Sequence, residues 1–167
     1  MASDEDKKKA QELVDEASEL LKRSEAEPEN KTQIAQQVVA LMNKAIALDE
    51  ENDGAWNHRG LAKAYLDEHQ NAINDLDEAI KFNPKNDMAW NNRGFAKYHL
   101  GQYEEAIKDF NEALRLNPDD KTIQKNRFAA GIALSSTAST TSASEKRRGI
   151  IKLLKLTILE QKIRRFF

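Results

Sequence analysis

The sequence predicts an all-α fold, a solenoid of antiparallel helix pairs, and two observations carry that prediction. The first is an internal repeat, because the segment from Trp56 to Pro84 returns from Trp90 to Pro118, 34 positions later. A fixed period of this length is typical of stacked helical repeats. The second is the spacing of apolar residues in each copy, which follows the turn of an α-helix. Stacked repeats present an extended surface and rarely enclose a catalytic pocket, so the pattern favours binding over catalysis.

The first predicted helix pair precedes the clear repeats. Apolar residues on one face predict a helix from about Asp4 to Arg23 and a second from Thr32 to Leu48, joined by a loop over residues 24–31. The second helix aligns with the end of the first clear copy when it is shifted by one period. The loop is longer than the turns of the later copies. We therefore predict that residues 4–52 form a degenerate repeat, as terminal repeats often do.

Residues 53–86 and 87–120 are the two complete copies. In the later copy, apolar positions predict a helix from Asp87 to Leu100 and an amphipathic helix from Tyr103 to Leu116. Gly101 lies between them, where glycine can end a helix at positive φ. A proline follows each copy's second helix and stops it, because proline cannot continue the hydrogen-bond ladder.

Each copy has a glycine in the middle of its first helix, Gly60 in the earlier copy and Gly94 in the later one. Glycine in a helix interior costs roughly 1 kcal/mol relative to alanine, so its return indicates that a neighbouring helix approaches closely. Small residues recur in the second helix for the same reason. The spaces between them are predicted to be filled by the large recurring side chains Trp56, Trp90, Leu76 and Phe110.

These recurring residues resemble the pattern of the tetratricopeptide repeat family: an aromatic residue, a glycine four positions later, then small and large residues in the second helix, then proline. The matching positions are Trp56, Gly60, Ala72, Leu76, Ala79 and Pro84, and then Trp90, Gly94, Ala106, Phe110, Ala113 and Pro118. The family's usual leucine before the glycine is replaced by Arg59 and Arg93. The resemblance covers roughly residues 4–135 and is specific for residues 53–118. It implies about three repeats and a capping helix.

The C-terminal quarter departs from the repeat. Residues 121–134 are predicted to form the single capping helix, with Phe128 at the position of the mid-helix glycines. A tetratricopeptide repeat domain would then span residues 1–134. Residues 135–145 are rich in serine and threonine and are predicted to be a linker. Residues 146–167 are predicted to form a basic, apolar helix.

In the resembled family, the first helix of each pair lines the concave surface. Carried over residue by residue, that groove would display Asn57, His58, Leu61, Tyr65, Asn91, Asn92, Phe95, His99, Lys125 and Asn126. Asparagine amides donate and accept hydrogen bonds, so they can pair with a peptide backbone whatever its side chains. Leu61 and Phe95 could hold apolar side chains. The resemblance thus implies an adaptor that binds a peptide or a partner helix in this groove.

One subclass of the family captures the C-terminal carboxylate of heat-shock chaperones with a clamp of lysine, asparagine and arginine. Asn92 stands at a clamp-type asparagine position. The accompanying residues would be Asn57 with Leu61 in one repeat and Thr122 with Asn126 after it. No cation is present at these positions, so this type of clamp is not expected.

The tail is the second candidate for function, through self-association or membrane binding. Residues 146–167 hold eight of the 26 basic side chains and one of the 28 acidic ones. The tail is therefore strongly basic while the rest of the chain is acidic. The residues that would carry an interaction are Lys146, Arg147, Arg148, Ile151, Leu154 and Ile158.

Three interpretations of the tail stay open. It packs against a repeat helix of its own or a second subunit, giving a homo-oligomer in the latter case. It lies in a membrane interface, where basic and large apolar residues are the expected mixture. Or residues 146–148 form a nuclear-import or nucleic-acid patch, which is the least favoured. Helix packing is favoured because the body is acidic and a helical stack has an open end to cover.

Composition argues against several other classes of protein. The 167 residues are 32% charged and 7% aromatic and include no cysteine, which excludes a disulfide framework and a cysteine nucleophile. The first residues have no apolar core, so a secretory signal is not expected and a cytoplasmic location is predicted. The three histidines are dispersed, and no phosphate loop or nucleophile elbow is present. We therefore expect no enzyme, cofactor or metal site.

Overall fold

The computed structural model describes residues 2–26 and 28–137, and this part of the chain is all-α, as predicted. Its first six α-helices form three consecutive antiparallel pairs, and a seventh α-helix follows them. The seven helices are α1 Asp4–Ala26, α2 Lys31–Leu48, α3 Asp53–Tyr65, α4 His69–Phe82, α5 Asp87–His99, α6 Tyr103–Leu116 and α7 over residues 121–137. The chain divides into two compact units, of which the first ends at Ala130 and the second begins at Gly131.

Three helices begin with the same cap, one period apart. The side-chain oxygen of Asn52 accepts a hydrogen bond from the backbone N–H of Ala55 at 2.9 Å, and Asn86 caps α5 in the same way at 3.0 Å. Asp120 repeats the contact at the start of α7, where its carboxylate accepts from the N–H of Ile123 at 3.0 Å. Each cap satisfies one of the N–H groups that a helix start leaves without a partner, which fixes where α3, α5 and α7 begin.

The mid-helix glycines lie where the second helix of each pair comes closest, as the sequence predicts. A Cβ placed on Gly60 would stand 2.7 Å from Cγ of Leu76, and one on Gly94 would stand 2.7 Å from Cε1 of Phe110. Leu76 and Phe110 are buried against these sites. The absence of a side chain on the glycine therefore sets the distance between paired helices.

The turn inside each repeat has a left-handed residue. Gly101 has a φ of 75° between α5 and α6, as predicted, and Asp67 has a φ of 60° at the equivalent place between α3 and α4. Aspartate is among the few residues other than glycine that adopt this region with some frequency. The left-handed conformation is thus required by the turn, although only one of the two copies provides glycine.

Two predicted boundaries are wrong. The loop expected over residues 24–31 is shorter, because α1 continues to Ala26 and a short 3₁₀ helix, Pro28–Asn30, leads directly into α2. The capping helix does not end at residue 134, because residues 135–137 of the expected linker are helical. The hydroxyl of Ser135 donates to the carbonyl of Gly131 at 2.9 Å, and such bonds to the preceding turn let serine and threonine continue a helix.

Candidate functional site

The odd-numbered helices form one face of the first unit. Helix α3 contacts both α1 and α5, whereas among the described helices α1–α6 the even-numbered ones do not contact one another. Helices that are closer together lie on the shorter side of a curved stack. The face formed by α3, α5 and the start of α7 is therefore the inner face, and this name is kept below.

Buried amides connect the first helices of neighbouring repeats. Asn92 donates from Nδ2 to Oδ1 of Asn57 at 3.0 Å, and Asn126 makes the same bond to Asn91 at 3.0 Å one period later. Asn57 is only 2% exposed and Asn92 is 9% exposed. That these two amides meet a ligand stays a prediction, and in this structure they do not face an open groove. They satisfy each other instead, which a buried amide requires.

The other predicted groove residues remain accessible on the inner face. His58, Leu61, Tyr65, Asn91, Phe95 and Asn126 are half-buried, whereas His99 and Lys125 are exposed. The ammonium group of Lys31 lies 3.7 Å from the ring centroid of Tyr65, so one face of that ring is already covered. These residues together present amide, imidazole, aromatic and aliphatic groups, and their role in binding stays a prediction.

A small cavity opens in this row between α5 and α7. Its volume is about 80 Å³, and its lining is Phe95, Tyr98, Phe110, Asn126 and Ala129. The cavity exists beside Phe95 because the equivalent position of α7 carries the small Ala129. Tyr98 and Phe110 were not among the predicted groove residues. The signal was present in the period, since Leu61, Phe95 and Ala129 stand 34 positions apart and the last of them is small.

A wider depression of about 690 Å³ lies elsewhere, lined by Ala2, Lys7, Trp56 and the turn between α2 and α3. Its volume exceeds that of the inner-face cavity, yet more of its lining surface is polar than apolar, whereas the inner-face cavity is lined mainly by apolar surface. An open polar surface of this kind offers no enclosed apolar contact, whereas ligand sites are usually concave and largely apolar. The smaller cavity is therefore the better candidate.

The cations of α3 are neutralised by a carboxylate of α4. Arg59 donates from Nε and Nη2 to the two carboxylate oxygens of Asp75, both at 2.9 Å, and Lys63 lies 2.7 Å from the same carboxylate. Asp75 is 4% exposed. The guanidinium of Arg59 also lies 4.6 Å from the ring centroid of Trp56.

Helix α5 repeats this cluster. Arg93 binds Asp109 at 2.9 and 2.7 Å, Lys97 lies 2.7 Å from Asp109, and the exposed Asp77 adds a 2.6 Å contact to Arg93. Burial opposes the charge of Arg93, but the carboxylates of Asp109 and Asp77 raise its pKa. The cluster explains why arginine replaces the family's leucine. The recurring acid 16 positions after each arginine was the signal in the sequence.

The three histidines, which the sequence analysis describes as dispersed, fall into two separate places in the structure. His99 stacks on His69, with ring centroids 4.9 Å apart, while His58 lies 3.4 Å from Oγ of Ser18. Burial lowers the pKa of His58, although Asp15 opposes the shift. Burial also lowers the pKa of His99, and the charge of His69 adds to that effect. Both shifts favour the neutral form of the ring. Within the described part of the chain, no three metal-binding side chains are grouped to hold a metal ion.

The predicted tail contacts lie outside the described residues. They are Lys146, Arg147, Arg148, Ile151, Leu154 and Ile158, so self-association and membrane binding through them stay predictions. None of the helices in the described ranges is long and apolar enough to cross a bilayer.

Comparison with known proteins identifies the repeat. Family models described as tetratricopeptide repeat match residues 53–86 and residues 88–120. A search of curated proteins gave no match. Among solved structures, the first such domain of human RPAP3 has a TM-score of 0.69 at 22% identity and covers 78% of this chain and 96% of that one.

Two further structures give the same result. The first tetratricopeptide repeat domain of Spaghetti (RPAP3), bound to the HSP90 peptide SRMEEVD, has a TM-score of 0.67 at 22% identity over 77% of this chain and 95% of that one. The corresponding domain of Arabidopsis OM64 has a TM-score of 0.65 at 25% identity over 75% of this chain and 96% of that one.

Proposed function

Because the chain is a tetratricopeptide repeat protein, we propose that it acts as an adaptor, a binding protein rather than an enzyme, whose inner face holds an extended peptide of another protein. The observation that supports this most is the cavity beside Phe95. A volume of about 80 Å³ suits one aliphatic or thioether side chain. The amide of Asn126 on its rim offers hydrogen bonds to the adjacent peptide backbone.

The charges on the inner face indicate which kind of peptide it would bind. The carboxylates of Asp75 and Asp109 already bind all four cations of α3 and α5 that they can reach. Asn92, at the clamp-type position, is 9% exposed and bonded to Asn57. Lys125 is the exposed cation of the inner face. We therefore propose that an apolar side chain, rather than a cluster of carboxylates, provides most of the affinity.

The relatives provide both the precedent and the competing ligand. Two of the similar structures are described as bound to the HSP90 peptide SRMEEVD and to the HSP70 peptide SGPTIEEVD. These peptides combine a few apolar side chains, among them a methionine or an isoleucine, with several carboxylates. Their binding to this chain would depend on the methionine or isoleucine side chain if our proposal holds, and on the carboxylates if a chaperone-tail clamp operates here.

Three fluorescein-labelled peptides separate these two cases when they are titrated into the full chain and followed by anisotropy. They are SRMEEVD, its carboxylate-free analogue SRMQQVN with an amidated end, and SRAQQVN, which has the same amidated end and lacks the methionine side chain. We expect the carboxylate-free analogue to bind at least as tightly as SRMEEVD. Loss of the methionine should weaken binding about tenfold, the effect of roughly 1.4 kcal/mol.

A variant of the protein tests the cavity directly. Ala129→Leu fills the space beside Phe95 without leaving a void, and we expect it to weaken binding of SRMQQVN about as much as loss of the methionine. The matched control is Lys108→Leu, which adds the same apolar group at an exposed position of α6 away from the inner face. Binding of SRMEEVD more than tenfold tighter than of SRMQQVN, or no effect of Ala129→Leu, would contradict the proposal.

A further inference from the structure

Helix α7 repeats an arginine whose surroundings are only half complete. Arg59, Arg93 and Arg127 stand one period apart. Each donates from Nη1 to a side chain 16 positions earlier on the preceding second helix, at 2.8, 2.6 and 3.3 Å. In the third case that acceptor is Asn111. Arg127 is therefore held on α6 in the same way as its two equivalents are held on α2 and α4.

The first two arginines show what the other side of the guanidinium binds. Each arginine binds a buried aspartate on the second helix of its own repeat. The residue that follows this aspartate is large, and it packs against the glycine that follows the arginine. The paired features are Asp75-Leu76 against Arg59-Gly60, and Asp109-Phe110 against Arg93-Gly94. The structure thus contains the same two-residue recognition twice: an acid on arginine, and a large residue on glycine.

The third copy presents the arginine without such a helix. Among the described residues no carboxylate binds Arg127, and its neighbour is Phe128 instead of glycine. Phe128 is 71% exposed. A large exposed apolar side chain beside an arginine that lacks the buried aspartate of its two equivalents marks this face as a candidate interaction site.

We propose that this outer face of α7 binds a helix of another protein that presents an acidic residue followed by a small one. The acid would bind Arg127 as Asp109 binds Arg93. The following residue must be small because Phe128 occupies the space that Gly94 leaves open for Phe110. The inference goes beyond the inner-face proposal and does not depend on it.

Charge complementarity favours a partner over the chain's own C-terminal residues. Residues 121–137 contain Lys121, Lys125 and Arg127 and no acidic residue. One period after Asp109 and Phe110 the sequence has Ala143 and Ser144, so the acid is missing. Residues 146–167 are strongly basic and contain a single acid. An acidic helix therefore complements this face better than the basic tail does.

The helix α6 provides a probe with a known binding geometry. We would synthesise residues 102–117 as a capped peptide in three forms: the natural sequence, one with Phe110→Ala, and one with Phe110→Ala and Asp109→Asn. Each is titrated into the full chain labelled with ¹⁵N, because chemical shifts of α7 amides report weak binding and locate it. We expect the Phe110→Ala peptide to bind at least fivefold more tightly than the natural one, and the added Asp109→Asn to abolish that gain.

Variants of the protein provide the decisive comparison. Phe128→Gly in the full chain restores the glycine, so the natural peptide should then bind more tightly than the Phe110→Ala peptide. Arg127→Ala should remove the difference between the peptides with Asp109 and with Asn at that position. Phe128→Ala, which keeps helix propensity, checks that the reversal does not come from unfolding of α7. The proposal is overturned if the full chain binds none of the peptides, or if their order is the same for the natural and Phe128→Gly proteins.

Discussion

Helices α5 and α7 begin in the same way and then diverge. Asn86 and Asp120 cap them with equivalent hydrogen bonds. One turn later, Nε1 of Trp90 donates to the carbonyl of Pro84 at 3.0 Å, and Nε2 of Gln124 donates to the carbonyl of Pro118 at 2.9 Å. A glutamine side chain thus reproduces the hydrogen bond of the tryptophan that it replaces.

The divergence begins where a following helix is needed. Gly94 admits Phe110, and Lys97 and Arg93 bind Asp109, after which α5 ends at His99. In α7 Phe128 replaces the glycine, the residue 16 positions after Arg127 is Ala143 instead of an acid, and the helix continues to residue 137. The first half of each first helix is therefore determined by the preceding repeat, and the second half by the helix that comes after it. Breaking the contacts of α5 should have large effects where the same change in α7 has little.

The largest effect is expected for Asp109→Ala. Asp109 is 4% exposed and neutralises both Arg93 and Lys97. Removing it leaves Lys97 without a carboxylate and Arg93 with the exposed Asp77 alone, and the loss of one partner of a buried ion pair costs about 3 kcal/mol or more. Urea unfolding followed by circular dichroism measures the loss.

Two variants set the scale for that measurement. Asp77→Ala removes a carboxylate of Arg93 that is 52% exposed, so we expect less than about 1 kcal/mol. Arg127→Ala removes the equivalent arginine of α7, which has no carboxylate among the described residues, and should change stability by no more than about 0.5 kcal/mol. A similar loss in all three variants would show that the cluster is not special to the complete repeats.

Gly94→Ala should have the next largest effect. The new Cβ would stand 2.7 Å from Cε1 of Phe110 and 3.1 Å from the backbone oxygen of Ala106. Overpacking of this kind costs about 1–3 kcal/mol and exceeds the ~1 kcal/mol that alanine gains in a helix. The matched control is Gly131→Ala in α7, where nothing lies within 4 Å and the same substitution should stabilise the protein. A stabilising Gly94→Ala would contradict the close approach of α5 and α6.

The period explains why much of the fold could be predicted. Gly60, Gly94 and Gly101 each report a local requirement, a close contact or a positive φ, that a single sequence displays. The features that were missed depend on two distant positions together. Asp75 resembles many solvated acids until Arg59 is recognised as its partner, 16 positions earlier.

The burial of the candidate site's residues could not be predicted for a related reason. The resemblance to the repeat family put Asn57 and Asn92 on the inner face, but it does not tell how deeply they are buried there. Burial depends on how closely α3 and α5 approach, which no single helix encodes. The extension of α7 was missed because serine and threonine suggest a linker by composition, whereas their hydroxyls here bond to the preceding helical turn.

The smallest expected effect is on the pH dependence of stability, through the contact between α1 and α3. His58 stands one period before Asn92 and two before Asn126, so Ser18 and His58 occupy the place that amide pairs hold between later helices. Of these contacts only His58 titrates near neutral pH. Burial lowers its pKa, so as pH falls below about 6.5 the unfolded chain takes up a proton before the folded one does. Stability contributed by neutral His58 is therefore present above that pH and is lost on acidification.

His58→Asn should reproduce the later amide contacts and reduce this loss. We expect the urea midpoint of the natural protein to fall between pH 7.5 and 5.5, and to fall less in the variant. His99→Asn is the comparison, because the pKa of His99 is also lowered but its ring is exposed, so removing it should reduce the pH dependence less. An equal fall in the natural protein and in His58→Asn would mean that the α1–α3 contact does not sense pH. The difference between the titratable pair and the amide pairs would then have no consequence for stability.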